Sequence, residues 1–97
     1  MNERATSTTA NDLIEAVGLA ERGFGTADAS PSDYVLIRAQ RLLAGDERCT
    51  GTRCWQLTFK LSRLIPTTAN PRIGAGGELF FMVDLERGSA MLTGRGE

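Results

Sequence analysis

The chain has no histidine among its 97 residues. Histidine is the usual general base near neutral pH, so its absence removes the commonest route to acid–base catalysis. It also excludes Ser-His and Cys-His nucleophile pairs within these residues. We therefore predict no catalytic residues, and the sequence favours a binding or regulatory module over an enzyme.

A strong charge of one sign is also missing, because 11 basic residues nearly balance 12 acidic ones. Proteins dedicated to nucleic acid are usually strongly basic, so this balance argues against a nucleic-acid partner. No apolar run approaches the length of about 20 residues that a bilayer requires, so no membrane span is expected. The first ten residues also lack the apolar stretch of a signal peptide.

A chain of this length is expected to form one domain. Residues 1–10 are polar and rich in Ser and Thr, so we predict a disordered N-terminal tail. Residues 11–94 are predicted to form a single domain, because no linker or internal repeat divides them.

Two helices are predicted in the first half of the chain, separated by a loop over residues 23–29. Residues 12–22 carry apolar residues at helical spacing. Residues 30–43 have stronger signals, because Ser30 is a good N-cap and Pro31 suits the first helical position. The apolar residues of this second segment would share one helical face: Val35, Leu36, Ala39, Leu42 and Leu43.

The second half of the chain shows the alternating period of strands. Residues 55–62 alternate apolar and polar, which predicts a half-buried strand with one solvent-facing side. Residues 78–85 predict another strand. Phe80 and Met82 make its second face apolar too, so this strand is expected to lie centrally or to be covered on both sides.

A tight turn over residues 84–88 is predicted to close with Gly88, and residues 89–93 are predicted to return as a short strand. Helices followed by strands indicate the α+β class. We therefore predict one or two N-terminal helices packed on an antiparallel sheet of three to four strands.

Cys49 and Cys54 are the only two cysteines, and four polar residues separate them. We expect a disulfide across this turn, although two reduced thiols remain the alternative. A bridge would place the protein in the periplasm or outside the cell, and free thiols would place it in the cytoplasm. No metal site is predicted, because two thiolates without histidine do not complete four ligands.

No cofactor is predicted. The glycine-rich run over residues 74–77 lacks the Lys and Ser/Thr of a phosphate-binding loop, and a strand rather than a helix follows it. The polar side of the first strand and the loop after it suggest a binding surface for an acidic partner, although a solvated surface without a partner remains the alternative. Its candidate residues are Gln56, Thr58, Lys60, Arg63 and Arg72.

Residues 31–92 resemble PepSY-type domains and, more loosely, cystatin-like domains. The resemblance rests on the predicted helix over 32–43, the strand over 54–64 and the hairpin over 83–90. That hairpin is similar to the V-D-x-x-x-G turn of PepSY modules. Such modules are small, extracytoplasmic and non-enzymatic, and many bind or restrain peptidases. The Gln-x-Val-x-Gly loop of inhibitory cystatins is absent, so cysteine-protease inhibition is not implied.

Three functional hypotheses follow. The first is a non-catalytic module that binds an unknown protein or peptide. The second is a small thiol-redox protein or enzyme that uses Cys49 or Cys54. The third is an obligate oligomer, such as a homodimer, in which Phe80 and Met82 bury against a second chain.

Overall fold

The structure, a computed structural model, describes residues 9–43, 45–49, 53–66 and 76–96. One helix is followed by a four-stranded antiparallel sheet, which confirms the α+β class. The strands lie in chain order, so each pairs with its neighbours in sequence. The elements are helix α1 (Thr9–Gly23) and strands β1 (Tyr34–Arg41), β2 (Cys54–Leu61), β3 (Glu78–Asp84) and β4 (Ser89–Arg95).

Helix α1 covers one face of the sheet. Ala16 and Ala20, four residues apart, are fully buried, and their small side chains let the helix approach the strands closely. The helix begins at Thr9, two residues inside the predicted tail, and residues 1–8 lie outside the described residues. No helix in the described part of the chain is long and apolar enough to cross a membrane.

The predicted second helix is wrong, because residues 34–41 form strand β1. The Ser30 and Pro31 signals support only one 3-10 turn, Pro31–Asp33. Tyr34 to Ile37 is an aromatic and β-branched run that suits a strand. Pairing with β2 therefore decides the structure of this segment, not the helical spacing of its apolar residues. A helix would have buried Val35 and Leu36 on one face, but in the strand Leu36 is half-buried and Val35 is exposed.

The strands of the second half are confirmed with small changes of boundary. The predicted solvent-facing side of β2 is wrong, because Thr58 and Lys60 on that side are only 8% and 4% exposed. Strand β3 lies between β2 and β4, which confirms the central position expected from Phe80 and Met82. The turn between β3 and β4 ends at Gly88, whose φ of 64° lies in the left-handed region that favours glycine.

A β-bulge in β1 decides which of its side chains face the helix. Leu36 pairs with Phe59, but Arg38 pairs with Thr58, so Ile37 is the extra residue. Because side chains alternate along a strand, this insertion reverses the alternation after Ile37. Arg38 is thereby moved from the helix side of the sheet to the opposite side, and Arg41 is moved to the helix side.

The core is organised around Phe24, which is 1% exposed. Its ring stacks on Phe81 at 5.3 Å and meets Phe59 and Tyr34 edge-on at 5.0 and 5.3 Å. The sequence predicts a loop at residues 23–29, but Phe24–Ala27 forms a 3-10 turn that directs this ring into the sheet. The turn after α1 is therefore part of the core.

A buried ion pair fixes the first turn of α1 to the sheet. Asp12 is 1% exposed, and its Oδ1 accepts a hydrogen bond of 2.9 Å from Arg53, just before β2. Arg41 adds a second cation 3.6 Å from Asp12 Oδ2. The hydrogen bond to Asp12 raises the pKa of Arg53 above its usual value, so this guanidinium stays charged. The ion pair therefore holds the N-terminal end of α1 next to the start of β2 and the end of β1.

We expect Phe24→Ala to lower the free energy of unfolding by about 3–5 kcal/mol, because it leaves a cavity among three aromatic rings. Urea denaturation followed by circular dichroism measures the change. Ile14→Ala on the exposed side of α1 is the control, since Ile14 is 72% exposed and its loss should cost less than about 0.5 kcal/mol. Equal losses in the two variants would contradict the central position of Phe24.

Asp12→Asn is expected to lower the free energy of unfolding by about 1–3 kcal/mol, because it removes the charge that Arg53 pairs with. Breaking a fully buried pair costs more, but the Arg53 side chain is 32% exposed and water can partly replace the carboxylate. The matched control is Glu15→Gln, whose carboxylate lies 3.8 Å from the same guanidinium and is half exposed. The proposed anchor is refuted if both variants unfold at the same urea concentration.

Candidate functional site

The sheet face opposite α1 is the candidate functional surface, and we call it the open face. It is formed by alternate residues of the strands, as the pairing registers show. Cross-strand rows run across it, one through Gln40, Gln56, Met82 and Met91, and the next through Arg38, Thr58 and Phe80. Polar and apolar side chains thus alternate on a face that the helix leaves uncovered.

A small groove lies on the open face where β1, β2 and β3 meet. Arg38, Gln40, Gln56, Thr58 and Phe80 line its volume of about 150 Å³. Pockets for drug-sized ligands usually have volumes of about 300–1,000 Å³, so this groove is small and has room for about one side chain. It offers one guanidinium, two amides, a hydroxyl and an aromatic ring.

Arg38 gives the groove its charge. Its side chain is exposed, and among the described residues it makes no ion pair. An exposed guanidinium of this kind can bind a carboxylate through two parallel N–H···O hydrogen bonds. Gln40 and Gln56 are cross-strand neighbours and supply further donors beside it.

The predicted binding residues fall into two groups. Gln56, Thr58 and Lys60 share the open face, and the first two line the groove. Lys60 is 4% exposed, and its ammonium donates to Gly76 O at 2.7 Å and to Glu78 Oε2 at 3.0 Å. Lys60 therefore ties the start of β3 to β2 instead of facing a partner.

The last two predicted residues lie away from the groove. Arg63 is exposed in a 3-10 turn after β2, Ser62–Leu64, and does not line the groove. Arg72 lies outside the described residues.

The two cysteines meet at the end of the open face. Their Sγ atoms are at disulfide-bonding distance, and their Cα atoms are 6.4 Å apart, within the range that a bridge requires. Cys54 opposes Asp84 in the β2–β3 pairing. Asp84 Oδ1 accepts hydrogen bonds from the N–H groups of Glu86 and Arg87 and so shapes the next turn.

The loop that carries Cys49 is connected to the groove through Arg48. Arg48 donates to both carboxylate oxygens of Asp46 at 2.8 and 3.0 Å, and to Gln56 Oε1 at 3.1 Å. The Arg48 side chain, followed by its backbone N–H, lowers the pKa of Asp46 from 3.8 to about 2. Because the pKa is lowered, the Asp46–Arg48 pairing is complete above about pH 4 and is lost as the pH falls towards 2.

Sequence reasoning missed Arg38 and Gln40 as site residues. It placed them on a helix, where they would not have shared a face with Gln56 and Thr58. The β-branched and aromatic run at the start of β1 was the signal for a strand. The bulge at Ile37, which turns Arg38 towards the groove, has no comparable signal in the sequence.

Comparison of the chain with protein-family models, with curated proteins and with solved structures gives no match. Its function must therefore be inferred from its own residues.

We expect the double substitution Cys49→Ser, Cys54→Ser to lower the free energy of unfolding by about 2 kcal/mol. A bridge lowers the conformational entropy of the unfolded chain, and this is the contribution of a loop as short as the one between these cysteines. Urea denaturation measures the change. The parent protein treated with a dithiol reductant should show the same loss, and alkylation followed by mass measurement should report two added groups only after reduction. A double variant as stable as the oxidised parent would contradict a bridge that contributes to stability.

Proposed function

We propose that the protein is a non-catalytic module that binds an extended acidic peptide segment of a partner protein on the open face. The observation that carries this proposal is the groove lined by Arg38, Gln40, Gln56, Thr58 and Phe80. Its size suits a single side chain, and its one charged group suits a carboxylate. A Glu or Asp of the partner would pair with Arg38 while its neighbours contact Phe80.

The position of β1 supports a peptide as the occupant. β1 is an edge strand, so among the described residues no further strand covers its outer side. An extended peptide can add to such an edge through main-chain hydrogen bonds, and its alternate side chains then face the groove. Val35 and Ile37 are 42% and 47% exposed on this strand, and a bound peptide would bury part of that apolar surface.

Two carboxylates on the open face, Glu78 and Asp84, are already held by other groups. Glu78 pairs with Lys60, and Asp84 is held by turn amides. With no histidine in the chain, neither carboxylate has a proton-transfer partner of the usual kind.

A PepSY-like identity and an extracytoplasmic location belong to the same proposal. The strand and the closing hairpin that carry the resemblance are present, while the helix expected at 32–43 is replaced by β1. A Cys49–Cys54 bridge that forms in the cell would favour the periplasm or the exterior.

Binding can be tested with arrayed synthetic peptides about as long as β1, in matched pairs that carry Glu or Gln at one central position. We expect the oxidised protein to bind members of the Glu series and to lose about tenfold or more in affinity with Arg38→Gln, because a hydrogen bond to a charged group is worth about 1.5–3 kcal/mol. Fluorescence anisotropy measures the affinities.

Arg22→Gln is the control for this experiment, because Arg22 is an exposed arginine on α1, outside the open face. The control should bind as the parent does. Peptide binding that does not distinguish Glu from Gln, or that is unchanged by Arg38→Gln, would refute the proposal. Sedimentation that shows a dimer disrupted by Arg38→Gln would instead assign the open face to a second copy of the chain.

A further inference from the structure

A second group of side chains on the open face, beyond the peptide groove, carries metal-binding chemistry. The Sγ atoms of Cys49 and Cys54 and a carboxylate oxygen of Asp84 all lie within 4.8 Å of one another. Cys49 and Asp84 border a cavity of about 390 Å³ that also includes Met82 and Met91. The cavity gives an ion a path from solvent to this cluster.

The pairing of β2 with β3 brings a third candidate ligand, Asp84, next to the cysteines. Two cysteines alone are too few for a zinc site, and the chain has no histidine. Cys54 and Asp84 are directly opposed in the β2–β3 pairing, which puts their side chains on one face at neighbouring positions. The loop brings Cys49 to the same place, where its N–H donates to Asp46 O at 3.0 Å.

We propose that the reduced protein binds one Zn²⁺ through Cys49 Sγ, Cys54 Sγ and Asp84 Oδ2, with water as the fourth ligand. A small dithiol reductant first delivers two electrons to the Sγ–Sγ bond. The bond breaks, two protons complete two thiols, and the reductant becomes its own disulfide. Zn²⁺ then displaces the two thiol protons to solvent. The oxidised protein lacks these thiolate ligands, so the site is redox-dependent.

The surroundings of the cluster fit this ion. Two thiolates and one carboxylate carry three negative charges, so bound Zn²⁺ leaves one, and Arg48 and Arg87 border the same cavity. Asp84 Oδ1 is held by the N–H groups of Glu86 and Arg87 at 3.0 and 3.3 Å, which orients the carboxylate. Asp84 Oδ2 lies 3.7 Å from Nε of Arg87, whose side chain is 68% exposed and can move away.

The test is a zinc titration of the full chain in competition with a chromophoric chelator. The protein is reduced with a dithiol under argon and freed of the reductant before the titration. We expect one zinc ion per chain in the reduced protein and none in the oxidised protein. Cadmium should give a thiolate-to-metal charge-transfer band only in the reduced form.

Two substitutions separate this site from simple binding to free thiols. Asp84→Asn keeps an oxygen for the turn amides but should weaken zinc binding by at least about tenfold, because loss of a direct ligand should cost no less than loss of an outer-shell partner. Glu47→Gln, an exposed acidic residue of the same loop, should leave the affinity unchanged. Cys49→Ser removes one of the two thiolate ligands and should therefore weaken the cadmium band. This variant keeps Asp84, so it also tests the site if Asp84→Asn does not fold.

Several results would overturn the zinc site. One is an unchanged zinc affinity in a folded Asp84→Asn variant. Others are equal zinc binding by the oxidised protein and no zinc binding by the reduced protein. Half a zinc ion per chain would also overturn it, because the metal would then lie between two copies. The peptide experiment uses the oxidised, metal-free protein, so failure of either proposal leaves the other standing.

Discussion

The burial of one side of the sheet by a single helix is the constraint on which the rest of the structure depends. In the described part of the chain a single α-helix packs on one face of the four strands, and that face holds the core. Phe24 secures that arrangement by stacking on Phe81 and meeting Phe59 edge-on. The Asp12–Arg53 pair fixes the first turn of the helix to the strands that it covers. The open face is therefore a direct consequence of how the core is built.

The bulge at Ile37 connects this core to the candidate site. It allows β1 to place Leu36 against the core and, two residues later, Arg38 on the opposite face. The same change of alternation turns Arg41 towards Asp12. One inserted residue thus turns one arginine towards the Asp12 carboxylate and another towards the groove.

The open face brings two kinds of chemistry close together. The groove has a guanidinium and amides that suit a carboxylate, while the cysteine end has sulfur ligands beside Asp84. Arg48 lies between them, because it donates to Gln56 in the groove and comes directly before Cys49.

The sequence by itself determined the class of the fold, helix α1 and strands β2 to β4, because the alternation of apolar and polar residues is a local property. It also predicted that the two cysteines lie close together, since only four residues separate them. It also placed Gln56 and Thr58 on one polar strand face. Strand β1 was mistaken for a helix, since its apolar spacing fits both periods and only pairing with β2 decides between them. The positions of Phe24, Arg38 and Asp84 depended on the tertiary structure, because each acquires its role from a residue distant in the chain.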